Sequence, residues 1–307
     1  MLHSLSLLAL VLIGQVSAEP LVAPGATIEK LWSEGEFNEG GAIQPDGSLL
    51  FSDIGNAIMR FDPAAKTVKP FRQPSGRANG MILDPKARLI VAEGANTGGG
   101  RRVSITELDG TVRTLADSYQ GKRFNSPNDV AVDRFGRVYM SDPRYVGGEP
   151  RELDFEGVFR IDPDGKVTKL ETGSTKPNGL AVSPDGKTLY IADSGPKGQA
   201  LRAVDLDDKG NVSRPRILHE LGKGRGIDGM TVTANGWIVA TAGSGSDAGV
   251  YVFDHEGKPL GSIPVPESPA NVEFGGPDGR ALYIMAGKSL YRIETLMKGY
   301  WVSTPRR

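Results

Sequence analysis

Six oxygen-bearing residues, Glu39, Asn79, Asn128, Asn178, Asp228 and Asn271, share one register of a sequence that repeats itself, at intervals of 40, 49, 50, 50 and 43 residues. Four of the chain's ten asparagines fall in that register. Carboxylates and amide carbonyls are hard donors. Two carboxylates with two amides make an all-oxygen shell that suits Ca²⁺, with water or substrate completing the coordination, whereas Zn²⁺ is more usually held by His or Cys. Ca²⁺ is therefore the expected cation, with Mn²⁺, Mg²⁺ or Zn²⁺ as alternatives. A cation open on one side polarises an ester carbonyl and stabilises the oxyanion that forms when water attacks. Of the six residues only Glu39 and Asp228 can accept the water's proton at neutral pH, since an amide has no useful basicity. The turn preference of Asn or Asp before Gly explains a single Asn-Gly or Asp-Gly, but it does not explain Glu39.

Other motifs carry no chemistry. Gly224-Arg225-Gly226-Ile227-Asp228-Gly229 matches a dinucleotide fingerprint, but a strand pattern follows it where that site needs a helix N-terminus, so the segment reads as a loop between repeats. The run Asp205 to Gly210 begins like an EF-hand loop; Lys209 fills a ligand position and Arg216 stands where the bidentate glutamate belongs. His219-Glu220 lacks a second zinc-binding histidine, and no G-x-S-x-G elbow occurs.

The element that positions the register is a recurring hairpin, clearest from Asn178 to Asp193. An oxygen-bearing residue leads into a short apolar strand, a Pro-Asp-Gly-like turn, and a second strand that ends in a small or acidic residue. A period of this length marks the blade of a β-propeller, a small sheet stabilised by packing on its neighbours around an axis. The expected fold is all-β, a six-bladed propeller over residues 19–307. Third strands are legible at Ile58–Phe61, Val103–Thr106, Val158–Ile161, Leu201–Val204 and Val250–Phe253. The sixth repeat has only three strands, the last Ser289–Ile293, so Thr27–Trp32 is expected to supply the fourth and close the ring.

If the innermost strand of each blade starts at the mouth of the channel, the loops after the second strands overhang that mouth: Gly94–Arg102, Pro143–Glu156, Ser194–Gln199 and Gly243–Ala248. The longest carries Arg144, Tyr145, Glu149, Arg151 and Glu152, a polar set of which Arg144, Tyr145 and Glu149 are expected to join Asn79 and Asn128 in contacting substrate. Asp53, Glu93, Asp142 and Asp193 end second strands at the same rim, where Asp142 and Asp193 in particular are placed to orient ligating residues.

With 36 basic and 37 acidic residues in 307, no charge run or basic patch points to nucleic acid or an anionic membrane. Met1–Ala18 has an apolar core from Leu7 to Ile13 and a small-residue cleavage pattern, Val16-Ser17-Ala18. It reads as a secretory leader, giving an expected periplasmic or secreted protein with no membrane association after cleavage. The absence of cysteine excludes disulfides, thiol catalysis and thiolate metal sites.

Glu39-Gly40, Asn125-Ser126-Pro127-Asn128-Asp129-Val130, Pro177-Asn178-Gly179-Leu180 and Asp228-Gly229-Met230 resemble the motifs of the gluconolactonase and regucalcin-like (senescence marker protein) family, over about Gly35 to Arg292. That resemblance implies one divalent cation on Glu39, Asn178 and Asp228, with Asn128 touching metal or substrate and Asp228 also the catalytic base. The regucalcin branch has an arginine two residues before the Asn128 position. Here Ser126 stands there and Arg123 is displaced. The implied function is a metal-dependent lactonase opening a small sugar lactone or ester. Two alternatives share the architecture: a calcium phosphotriesterase of the diisopropyl-fluorophosphatase or paraoxonase kind, and a non-catalytic binding propeller with structural calcium.

Overall fold

The computed structural model describes residues 20–94, 98–196 and 198–303. The leader at Met1–Ala18 and part of the loop Gly94–Arg102 lie outside them. Six four-stranded antiparallel sheets form the blades of a propeller. Their innermost strands are Asn38–Ile43, Ala78–Leu83, Val130–Val132, Pro177–Val182, Met230–Val232 and Pro269–Gly275. Blade 4, for example, continues outward through Thr188–Asp193 and Gln199–Leu206 to Val212–Leu221. Blade 6 is completed as expected: Glu29–Trp32 pairs antiparallel with Ser289–Glu294, with Glu29 opposite Arg292 and Lys30 opposite Tyr291.

No blade holds a core of its own. The buried apolar side chains fall into six clusters, one at each junction between neighbouring blades. Val239, Val250 and Ile263 meet Val272, Phe274 and Ile284 between blades 5 and 6, and Leu49, Phe51 and Phe61 meet Tyr283, Met285 and Leu290 at the closing junction. Each sheet therefore depends on both neighbours for burial of its faces. The innermost strands are buried throughout in blades 1 and 4, while the outermost strand of blade 1, Thr67–Arg72, is largely exposed.

The hairpin turns work by local acceptors. In Pro45-Asp46-Gly47-Ser48, Asp46 Oδ1 accepts from Ser48 N at 3.0 Å and Gly47 adopts φ +85°. The glycine after a register residue has another cause. A Cβ on Gly40 would lie 2.1 Å from Asn79 O, and one on Gly179 would lie 2.2 Å from Asp228 O, because Gly179 N donates to that carbonyl at 2.8 Å. Neighbouring inner strands touch backbone to backbone there, and only glycine leaves the room.

Two features were not legible beforehand. A small hairpin, Ser118–Tyr119 with Lys122–Arg123, stands outside the blades. The C-terminal residues Tyr300 to Ser303 cross the channel at the end opposite the register residues, with Tyr300 N donating to Val232 O (3.1 Å) and Trp301 Nε1 to Glu273 Oε1 (3.1 Å).

Candidate metal centre and active-site cavity

The inner strands do not run straight into the mouth. Pairing with the second strand is irregular between Glu39 and Gly41, Ala78 and Met81, Pro177 and Leu180, and Pro269 and Asn271, so a bulge falls on the register residue in blades 2 and 4 and next to it in blades 1 and 6. Bulges re-aim side chains, and here they re-aim the register residues. In blades 3 and 5, Asn128 and Asp228 precede the inner strand and are held by their own N–H groups, donated to Ser141 O and Thr241 O at 2.9 Å each.

Glu39, Asn79, Asn128, Asn178 and Asp228 line one cavity of about 660 Å³ at that mouth. The sixth register residue, Asn271, lies behind it. Its Nδ2 donates to Glu39 Oε2 at 3.4 Å, its Oδ1 accepts from Val272 N at 2.8 Å, and it faces the channel beneath. At the centre, Asp228 Oδ1 accepts from Asn178 Nδ2 at 2.7 Å, and its Oδ2 pairs with the Arg225 guanidinium, which also donates to Pro269 O at 2.6 Å. The carboxyl groups of Glu39 and Asp228 line the same cavity, near enough for the charge of one to act on the other.

That proximity has an electrostatic consequence. Burial, followed by the nearby charge of Asp228, pushes the Glu39 carboxyl well above the usual range; burial raises Asp228 too, with Arg225 opposing it. Two largely buried carboxylates near one another resist joint ionisation unless positive charge sits among them. Arg225 supplies one such charge. A hard divalent cation fits the remaining donor set, two carboxylates with amide oxygens, and among the described residues no histidine or third carboxylate joins it.

The acidic ends of the second strands have a common geometry. Asp53 accepts from the N–H groups of Glu36 and Phe37, Asp142 from Asn125 (2.8 Å) and Ser126 (2.7 Å), and Asp193 from Thr175 (3.2 Å) and Lys176 (2.9 Å). Each carboxylate thus clamps the backbone two residues before a register residue, Glu39, Asn128 or Asn178. Burial pushes the Asp142 carboxyl up to about 7 despite those two donors. Asp193 also accepts from Arg202 Nε at 2.7 Å, and Glu93 is bound by Arg72 and Arg102 instead of by backbone.

The loops divide. Tyr145 and Val146, with Ser194 and Gln199, reach the cavity; Gly243–Ala248 contributes none of its lining. Arg144 and Glu149, expected to contact substrate, stand outside it. The Arg144 guanidinium is occupied by the carbonyls of Asn125, Gly147 and Glu149, which fasten the loop to the strand it overhangs. Arg151 pairs with Glu156, and Glu152 accepts from Arg123 N. The lining residues passed over in the sequence include Phe37, Ile54, Arg77, Lys176 and Arg225. Arg225 was read only as part of a glycine-rich loop. Phe37, Arg77 and Lys176 hold the repeat position of Ser126, two residues before a register residue, so transferring that offset to the other blades would have found them.

A family model described as the SMP-30/gluconolactonase/LRE-like region matches residues 33–288. The gluconolactonase of Zymomonas mobilis is 33% identical over 298 residues, covering 87% of this chain and 81% of that protein. Among solved structures, a gluconolactonase of Xanthomonas campestris superposes with a TM-score of 0.79 at 28% identity, covering 91% of this chain and 96% of that one. The calcium-binding protein regucalcin of Agrobacterium tumefaciens shares the fold, with a TM-score of 0.74 at 19% identity and coverage of 92% and 98%. The bulged register, the two carboxylates it brings to one cavity and these likenesses agree in one assignment: the chain belongs to the SMP-30/gluconolactonase family, whose lactonase members support lactone hydrolysis as its chemistry.

Proposed function

We propose that this protein is an exported, divalent-metal-dependent lactonase that opens a small sugar lactone. The observation that carries the reading is the convergence of the Glu39 and Asp228 carboxyls with the Asn178 amide in one open cavity. Glu39, Asn178 and Asp228 would hold the cation, with Asn128 beside them, and when bound it would supply Lewis-acid polarisation of the lactone carbonyl. Ca²⁺ is proposed from the hard oxygen donors; the fold shared with a calcium-binding relative agrees with it but does not identify the ion. Asp228 takes a proton from the attacking water. Asn178 and Arg225, bonded to its two oxygens, hold the carboxylate in one orientation, and Arg225 favours the ionised form that a base needs. Collapse of the tetrahedral intermediate breaks the bond from the carbonyl carbon to the ring oxygen, which takes up the proton, and a hydroxy acid leaves. Asn79 and Asn128 are placed to hydrogen-bond sugar hydroxyls, while Phe37, Ile54 and Tyr145 wall the cavity from solvent. Export rests on the leader at Met1–Ala18.

The test is protein stripped of metal and assayed against gluconolactone, a homoserine-type lactone and a fluorophosphate, with calcium, manganese and zinc restored in turn. Turnover of the sugar lactone that returns with calcium supports the reading. Preferential turnover of the fluorophosphate would favour a phosphotriesterase, and no turnover despite bound metal would leave a binding propeller. Sequencing the N-terminus of the mature protein recovered from outside the cytoplasm tests export.

A further inference from the structure

A second ring stands at the mouth beside the register residues. The residues two before the register in blades 1 to 5 are Phe37, Arg77, Ser126, Lys176 and Gly226, and all five line the cavity. Three of them, on the consecutive blades 2, 3 and 4, form an arc of cation, hydroxyl and cation. Gly94 lies between Ser126 and the Arg77 backbone: a Cβ there would lie 3.3 Å from Ser126 Oγ and 3.6 Å from Arg77 O.

Both cations are held in place. The half-buried Lys176 ammonium lies 4.5 Å from the centroid of the Tyr145 ring and makes no ion pair among the described residues. Its backbone N–H is clamped by Asp193. Arg77 has a left-handed backbone, φ +61°, which residues other than glycine seldom adopt, and Asn56 Oδ1 accepts its N–H at 3.1 Å. Its guanidinium donates to Gly55 O at 2.7 Å and Ile54 O at 3.3 Å, which sets it against the wall of the cavity. Among the described residues the carboxylates that line the cavity are Glu39 and Asp228, the latter paired with Arg225. The wall formed by blades 2 to 4 instead presents the side chains of Arg77, Ser126 and Lys176.

We infer that the site takes sugar lactones bearing a second, anionic group on the carbon chain away from the carbonyl, a carboxylate or a phosphate, seated on the arc of Arg77, Ser126 and Lys176. The inference rests on the lactonase reading. Arginine meets such a group through paired N–H donors, the lysine as a point charge and the serine hydroxyl as a further donor. Bound this way, the substrate has its anionic end on one wall and its carbonyl over the centre, which fixes its direction in the cavity.

Two matched pairs of substrates test it on the calcium-loaded protein: D-galactono-1,4-lactone against D-galactaro-1,4-lactone, and D-gluconolactone against its 6-phosphate. The charged member of at least one pair is expected to have a kcat/KM at least ~10-fold above its neutral partner, and which pair shows this identifies the anion. That preference should shrink as salt is raised. Lys176→Met should lower the ratio of charged to neutral by ~10-fold or more, through KM, while Lys176→Arg keeps most of it. Arg77→Gln should act in the same direction, and calorimetry with galactarate should show weaker binding in both neutral-residue variants. Hydrolysis of neutral lactones with no preference for charged ones overturns this inference and leaves the lactonase reading standing. A Lys176→Met variant that loses equally on both members of each pair also overturns it. Failure to hydrolyse all four substrates with calcium bound overturns the lactonase reading, and this inference with it.

Discussion

Glu39 and Asp228 carry the two negative charges of the centre, yet their surroundings differ. Glu39 is 5% exposed and bonded by Gly40 N and Asn271 Nδ2, while Asp228 has Asn178 on one oxygen and Arg225 on the other. Among the described residues Asp228 of the two pairs directly with a side-chain cation, Arg225, and this agrees with its proposed part as base. Asp228→Asn retains an oxygen ligand, so metal affinity should largely survive while turnover falls by about 10²–10⁴, the usual worth of a positioned base. Metal titration beside steady-state kinetics checks this, and near-full turnover at saturating metal would move the base elsewhere. Asn178→Ala removes a proposed ligand and also a donor to Asp228, so metal binding should weaken, with turnover partly restored by excess calcium.

At the scale of the element, the clamp between second strand and inner strand is what gives a register residue its aim. Asp142 accepts two backbone N–H groups of Asn125-Ser126, and Arg144 fastens the overhanging loop to Asn125 O. Asp142→Ala would leave both donors without acceptors in a largely buried place, costing about 2–4 kcal/mol. Because that backbone leads directly into Asn128, the variant should lose activity as well as stability. A melt lowered without any change in KM or kcat would show that the clamp does not transmit to the site.

For the molecule as a whole, six interblade cores and a ring closed by one N-terminal strand make stability collective. Deleting residues 20–34 should expose the strand Ser289–Glu294 and open the junction of blades 6 and 1, lowering the melting temperature sharply; an unchanged melt would refute closure as a source of stability. The far end of the channel adds a pH dependence. Burial pushes the Glu273 carboxyl up to about 8, although Phe274 N and Trp301 Nε1 both donate to it. Its pKa is raised on folding, so its contribution to stability is complete below the unfolded value of about 4.3 and is lost as pH rises through about 8. Glu273→Gln should therefore flatten the decline of the melting temperature between pH 4.5 and 8. If the decline keeps its slope, other groups dominate it.

The hairpin repeat, the blade count, the closing strand and the register of oxygen donors were all legible in the sequence, because each is a local pattern repeated at fixed offset, and propeller symmetry carries equal offsets to equivalent places. Asn271 shared that offset but lies behind the cavity, where Val272 N and Glu39 take its amide; this is a matter of which neighbours surround it, and the repeat does not encode them. Arg144 and Glu149 sat in the expected overhanging loop, but the reach of a loop side chain depends on the carbonyls it meets, here those of Asn125 and of the loop itself. Arg225 meets Asp228 through a turn in an irregular segment, and the Tyr145 ring meets Lys176 from another blade. The first depends on the local path of that segment; the second joins residues of separate blades with no common period, and the closed ring, by bringing those blades to one axis, decided it.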